Sequence, residues 1–413
     1  RIPSMKIAIV TTWWSGAGAG EVSLAFAKVL LKSGHDIYIY ARHESSFTGD
    51  PHSISPSESN IKIWHGKKSN SPLIKSLHSK DFVHFLKSNL IDLIIFNEQV
   101  DLTPVIAAKR AGIRCVAYVD YYREDTVNSF EIYDALICNT KRHFDVFRWH
   151  ENAWFLPWGV DPSIYEGIEI QESADEFPFF HSCSYDPKRK GTDILLRSLE
   201  KFKDLRCTIH AYPSLSQTLP EERHLIEKLK NEGRLREINR LVRQPGLYSM
   251  GRIYVYPSRL EGIGLSILEA QATGLHLVAP NVDPFSDLAV PFGSTLVSPK
   301  TCRTRADAYY WPIAEVDSED LGFAMNQALE HIRSNPSHRE DIRNYVFSKR
   351  NIYLTHESLA KRLDSLGFKS IKSSDIKSLM NVSTQKIPVT YNGRFKKFFL
   401  QLRHTILQNK ERF

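Results

Sequence analysis

Tyr254-Val255-Tyr256-Pro257-Ser258-Arg259-Leu260-Glu261-Gly262-Ile263-Gly264-Leu265-Ser266-Ile267-Leu268-Glu269-Ala270 is the stretch on which the fold turns. An apolar strand closes at Pro257-Ser258. A loop with one carboxylate and two glycines follows, and then a helix whose core stripe is Leu265, Leu268 and Ala272. Glycines at a helix N-terminus let backbone N–H groups approach a phosphate. Glu269 falls one turn into the helix, off the apolar stripe, where it can accept hydrogen bonds from a diol such as a ribose. Glu261 sits in the loop, at what should be the edge of a cleft.

Outward from this stretch, apolar runs alternate with amphipathic ones. Strands are expected at 6–11, 36–41, 92–96, 115–119 and 135–138, with helices at 21–33, 104–111 and 141–148. A polar stretch, 161–176, reads as a linker. A second series follows, with strands at 179–182, 207–211, 253–257 and 276–279 and helices at 192–203, 220–232, 317–334 and 338–349. Mostly apolar strands alternating with helices give parallel sheets covered on both faces. The expected fold is α/β, with two Rossmann-like doubly wound parallel-sheet domains facing a cleft and a helical segment at the C-terminus. The expected boundaries are 5–165, 176–350 and 351–413. Such sheets bind ligands at the carboxyl ends of their strands, so the cleft is the natural site.

Composition excludes several classes. Of 413 residues, 42% are apolar and 24% charged, which is ordinary for a globular chain. No apolar run approaches the 18 or so residues of a membrane span. Residues 1–4 read as an added scar ahead of Met5, and the run from Met5 is too short an apolar segment for a signal peptide. The five cysteines are scattered without a CxxC pair, which suits a reducing, cytoplasmic compartment. The histidines show no HExxH pattern, so no metal site is expected, and GxSxG and Walker A motifs are absent. The net charge is +7, and 394–413 holds six Lys/Arg against one Glu. Phe395, Phe398, Phe399, Leu402 and Ile406 recur there at helical spacing. That tail can lie on an anionic membrane surface, pack back on the protein or bind a partner helix; nucleic acid is not an expected partner.

The two-glutamate pattern followed by Ala270-Gln271-Ala272-Thr273-Gly274 resembles the retaining GT-B glycosyltransferases of glycosyltransferase family 4. The likeness extends to the glycine-rich turn at 14–21, the turn Ser33-Gly34-His35-Asp36-Ile37, the run Leu156-Pro157-Trp158-Gly159-Val160-Asp161 and the loop Arg189-Lys190-Gly191-Thr192-Asp193. It implies transfer of a sugar from a nucleoside-diphosphate sugar to a glycan or lipid-linked acceptor, without a separate cofactor or metal, in the cytoplasm or at the inner membrane face. Surface polysaccharide or glycoconjugate synthesis is the implied setting.

The resemblance also implies roles. Glu269 would bind the ribose, and Gly262, Ile263, Gly264, Leu265 and Ser266 would hold the diphosphate with Arg189. Lys190 would face the leaving diphosphate, where negative charge grows as the bond breaks. Glu261 would lie by the transferred sugar. Gly18, in the glycine-rich turn, would approach the diphosphate from the other domain. Two departures stand out. Ser184 occupies the place of an Arg, for which Lys188 or Arg189 must substitute. Val119 stands where members carry a His, leaving Asp120 as the polar candidate on that strand end. A chain lacking both could be a degenerate GT-B protein that binds nucleotide or glycan without turnover. The Gly16-Ala17-Gly18-Ala19-Gly20 run lacks full GxGxxG spacing, because position 21 is Glu, so a NAD site is disfavoured. Trp13 and Trp14 read as core, with a sugar-stacking surface as the alternative.

Overall fold

The computed structural model describes residues 4–12, 18–43, 60–69, 76–120, 122–184, 186–304, 311–372, 375–376 and 379. Trp13, Trp14 and the basic tail 394–413, with its expected membrane contact, lie outside the described residues. Among the described residues no helix is long and apolar enough to cross a membrane.

The first sheet has seven parallel strands: β1 (Lys6–Thr11), β2 (Asp36–Ala41), β3 (Lys62–His65), β4 (Leu93–Asn97), β5 (Arg114–Tyr118), β6 (Ala135–Cys138) and β7 (Ala153–Phe155). Their order is β3-β2-β1-β4-β5-β6-β7. The second sheet holds β8 (Phe179–Ser184), β9 (Cys207–Ala211), β10 (Leu235–Ile238), β11 (Ile253–Val255), β12 (His276–Pro280) and β13 (Ser294–Val297), in the order β10-β9-β8-β11-β12-β13. Each order reverses direction once, between β1 and β4 and between β8 and β11. Loops leaving neighbouring strands diverge there and open a crevice at the carboxyl ends.

Side-chain alternation explains why both faces are covered. Ile7 and Ile9 of β1 enter one apolar cluster with Phe26 and Leu30, while Ala8 and Val10 enter the opposite one with Phe82 and Phe85. A strand buried on both sides must be apolar through its middle, which is how residues 7–10 of β1 read. The first of these clusters is continuous across the two sheets' layers, joining Phe26 and Trp158 to Leu268 and Tyr256.

The stretch 161–176 is more ordered than the linker expected of it. It forms two short helices, Pro162–Tyr165 and Ser173–Glu176, and buries Tyr165. The chain leaves the first sheet past Val160 and returns beside it: Val160 N donates to Arg350 O at 2.7 Å and Ile352 N to Val160 O at 2.8 Å. A Cβ at Gly159 would sit 2.5 Å from Arg350 O, so the two passing segments require glycine there. The helices Ile352–Thr355 and Leu359–Asp364 then pack on the first sheet's layers. His356 lodges against Phe26 and Trp158, and Arg114 donates to the carbonyls of Leu363 and Leu366.

Candidate functional site

The site is built from strand ends. In the first sheet, Asn97 at the end of β4 ties the start of the first helix, α1 (Gly18–Lys32), to the switch point. Its Nδ2 donates to Ala19 O and to Ser23 Oγ, each at 2.8 Å. Gly18, expected in a loop, is the first helical residue. In the second sheet, a loop from β8 leads into α2 (Thr192–Lys201), and the loop from β11 leads into α3 (Leu265–Ala272). Gly264 caps α3 in the left-handed region, at φ +75°. The two N-termini meet across the cleft. A Cβ on Gly18, which opens α1, would lie 3.7 Å from Cδ1 of Leu265, which opens α3. Each N-terminus is the partial positive end of its helix dipole, so an anion between them is favoured twice.

Beside this pair lies a carboxylate with four donors on one oxygen. Glu261 Oε1 accepts from Lys190 Nζ at 2.5 Å, Tyr256 OH at 2.6 Å, Ser258 Oγ at 3.0 Å and Arg189 Nη1 at 3.2 Å. Lys190 also donates to the Tyr256 hydroxyl. Among the described residues no hydrogen bond is donated to Oε2 of Glu261, which leaves that oxygen for a hydroxyl. Glu261 is 8% exposed, so the expected cleft-edge position is corrected to a buried one. The residues that follow β11 explain this: Tyr256 and Ser258 both turn their hydroxyls onto Glu261 as the loop folds back over them. Burial works to raise the Glu261 carboxyl, but Lys190 and Arg189 beside it, with their hydrogen bonds, hold it down at about 2. Burial and then Arg189 push the Lys190 ammonium down, with Glu261 opposing.

This arrangement makes the carboxylate a stability element with a defined pH window. Its pKa in the fold lies below the ordinary 4.5, so the stabilisation is full above about 4.5 and is lost as pH falls towards 2. The difference is on the order of 3 kcal/mol. Urea midpoints measured from pH 6 to pH 3 should therefore converge between wild type and Glu261→Gln. Parallel pH curves for the two proteins would show that Glu261 is not held in this way.

Glu269 lines a pocket whose walls also include Glu21, Lys28, Tyr165, Gln244 and Leu265. Tyr248 OH donates to its Oε2 at 2.7 Å and Gln244 Nε2 to its Oε1 at 3.0 Å. The carboxylate is thus oriented while both oxygens keep accepting capacity for a diol.

The remaining sequence candidates fall around these groups. Asp120 lies across the cleft, and a Cβ on Gly262 would meet its Oδ1 at 2.7 Å and Trp311 Cη2 at 2.6 Å. Ile263, Gly264, Leu265 and Ser266 form the turn and first residues of α3. Val119 is buried and apolar. Ser184 ends β8 with φ +50° and presents no cation. Of the two cations expected to substitute, Arg189 reaches Glu261, while Lys188 pairs with Asp193 at 3.3 Å and Glu221 at 3.7 Å.

The whole arrangement can be set beside known proteins. Residues 166–309 match the family model of the glycosyl transferases group 1. HepE of Anabaena, solved with UDP-glucose, superposes with a TM-score of 0.67 at 15% identity, covering 88% of this chain and 100% of that one. The fold is GT-B. WaaG, a glycosyltransferase involved in lipopolysaccharide biosynthesis, has the same GT-B architecture, with a TM-score of 0.62 at 15% identity over 87% of this chain and 100% of its own. The O-antigen biosynthesis glycosyltransferase WclY of Escherichia coli is 26% identical over 308 residues, 69% of this chain and 82% of the relative.

Several groups of this GT-B cleft were not singled out from the sequence. Arg142 donates from the first domain to Glu261 O at 2.8 Å, Gly262 O at 3.2 Å and Asp283 O at 3.0 Å, holding the glycine loop from across the cleft. Trp311, directly before β15 (Pro312–Glu315), which pairs antiparallel with β14 (Thr301–Thr304), packs among first-domain residues with Leu260. Gln244, in a loop, and Tyr248, at the start of a single 3-10 turn, precede β11 in a stretch without periodicity. Tyr256 alone lay inside the stretch quoted from the sequence, one residue past the end of β11.

Proposed function

We propose that this chain is a retaining glycosyltransferase that moves a sugar from a nucleoside-diphosphate sugar to a glycan or lipid-linked acceptor in surface polysaccharide synthesis. The observation that carries the reading is the meeting of two helix N-termini, at Gly18 and Leu265, beside the Lys190–Glu261 pair and next to the Glu269 pocket. A diphosphate is the anion that suits two N-termini and a lysine, and a ribose diol suits an oriented carboxylate one turn along α3. The likeness to a structure holding UDP-glucose and to an O-antigen glycosyltransferase supports the same class of donor and product.

In this account Lys190, Arg189 and the two N-termini stabilise the departing diphosphate, and no divalent ion is needed for that step. Glu261 orients the sugar through Oε2, and Asp120 faces it from the other domain. Retention requires the acceptor hydroxyl to approach from the face the diphosphate leaves. The bond from the anomeric carbon to the diphosphate oxygen breaks, the bond to the acceptor oxygen forms, and the acceptor's proton passes to the departing phosphate oxygen.

The test is a melting and sugar-release panel with UDP-, GDP-, ADP- and dTDP-sugars on wild type and Glu269→Ala. A ligand that binds only the folded state raises the melting point. One nucleotide should raise it, with slow sugar release, and Glu269→Ala should weaken that nucleotide at least about ten-fold, as loss of charged hydrogen bonds does. A shift without release, even with acceptors present, would favour a binding protein lacking turnover, the reading that Ser184 and Val119 motivate. No shift with any donor would overturn the site.

A further inference from the structure

Three imidazoles converge at the end of the second sheet opposite the cleft. His276 opens β12, His331 lies in the last turn of α4 (Ser318–Ser334), and His338 opens α5 (His338–Lys349). One nitrogen from each lies within 4.8 Å of the others. His276 Nδ1 and His338 Nε2 share a hydrogen bond of 2.9 Å, and His331 and His338 have ring centroids 4.6 Å apart. His276 and His338 are 2% and 6% exposed, whereas His331 is exposed.

We propose that His276, His331 and His338 bind a divalent zinc-class cation. Imidazole nitrogen suits zinc and its neighbours, and three protein ligands with an open fourth position are a common zinc arrangement. Tetrahedral zinc with bonds of about 2.0–2.1 Å needs its nitrogens roughly 3.3 Å apart, so the exposed His331 ring has only a short distance to close. A second layer of contacts already orients one ligand. His276 Nε2 lies 2.8 Å from Thr295 Oγ1, and a proton held on that side leaves Nδ1 as the coordinating lone pair. In the metal-free site His338 Nε2–H then donates to His276 Nδ1; binding moves that proton to His338 Nδ1 and frees Nε2 to coordinate, so the rings stay neutral and no proton is released. Asp341, one turn along α5, accepts from Ser337 Oγ at 2.8 Å and adds a carboxylate close to the bound charge.

The ligands come from three elements, so the ion would clip the α4–α5 corner to the strand that follows α3. His276 pairs in register with Ile253, the first residue of β11, which places the metal at the amino ends of the strands, away from Lys190 and Glu261. The site therefore fits a structural role.

The experiment uses the full chain stripped with a chelator and titrated calorimetrically with zinc chloride, alongside His331→Ala and His331→Gln. Both variants change an exposed ring, and circular dichroism checks their fold. Wild type should bind one equivalent, with a melting point that rises with zinc. Either variant should weaken binding at least about ten-fold and lose that rise. Failure of wild type to bind, or binding undiminished in both variants, would overturn the proposal. Because the readout is metal binding and not sugar transfer, it stands apart from the donor reading.

Discussion

Lys190→Ala is expected to slow sugar transfer about 100- to 1,000-fold, the loss that follows removal of one donor aimed at developing negative charge. The ammonium is fixed before any donor arrives: Glu261 Oε1 holds it at 2.5 Å and the Tyr256 ring lies beneath it, 4.8 Å from Nζ. It thus needs little reorganisation when the leaving group develops charge. Lys188→Ala is the control. Lys188 pairs with Asp193 and Glu221 and is 38% exposed, so its loss should change the rate less than about two-fold. Transfer rates for both variants at saturating donor check the difference. Equal rates in wild type and Lys190→Ala would remove Lys190 from the chemistry.

Gly191→Ala is expected to destabilise the protein by roughly 4 kcal/mol or more. Two effects combine. Gly191 has φ +72°, a left-handed conformation that costs an L-residue roughly 1–2 kcal/mol. A Cβ there would also run into the carbonyl oxygen of Pro257, a backbone atom that cannot yield as a side chain could. That backbone is tied next to the clash, with Arg259 N donating to Arg189 O at 2.8 Å and Ser258 Oγ to the same oxygen at 3.2 Å. Gly112→Ala separates the two effects. It has φ +77° but nothing within 4 Å of a built Cβ, so it should cost only the conformational part. Urea unfolding of the two variants measures the gap, and equal losses would mean that the loop yields to accommodate the methyl group.

The parts of the fold with strong periodicity were legible in the sequence. β2, β6 and β9 fall where their apolar runs predict, because each buries enough contiguous apolar surface to leave a pattern, and the helix His338–Lys349 falls where expected with Ile342 and Val346 one turn apart on its buried face. β3, β7, β10 and β13 were not foreseen. They are three or four residues long, and most of their side chains are only partly buried, so no alternation survives to be read. The helix Ser79–Asn89 was missed as well, though Phe82, Phe85 and Leu86 line its buried face. The site divides in the same way. Glu261, Lys190 and Glu269 were legible because they lie in local motifs beside glycines. Arg142 and Trp311 reach the same loop from distant segments, through contacts no local spacing encodes. The burial of Glu261 was hidden for a related reason. A carboxylate in a glycine loop reads as exposed until the partners that compensate it, Arg189 and Lys190 from another loop and Tyr256 just past the end of β11, are seen together.

The most direct test of the donor site is calorimetric binding of a nucleoside diphosphate and the matching monophosphate to wild type and Lys190→Ala, using the base that the donor panel selects. The account predicts that the substitution weakens the diphosphate at least about ten-fold and the monophosphate less than about two-fold, because Lys190 faces the phosphate that leaves with the sugar bond. Equal affinity of both proteins for the diphosphate would contradict it.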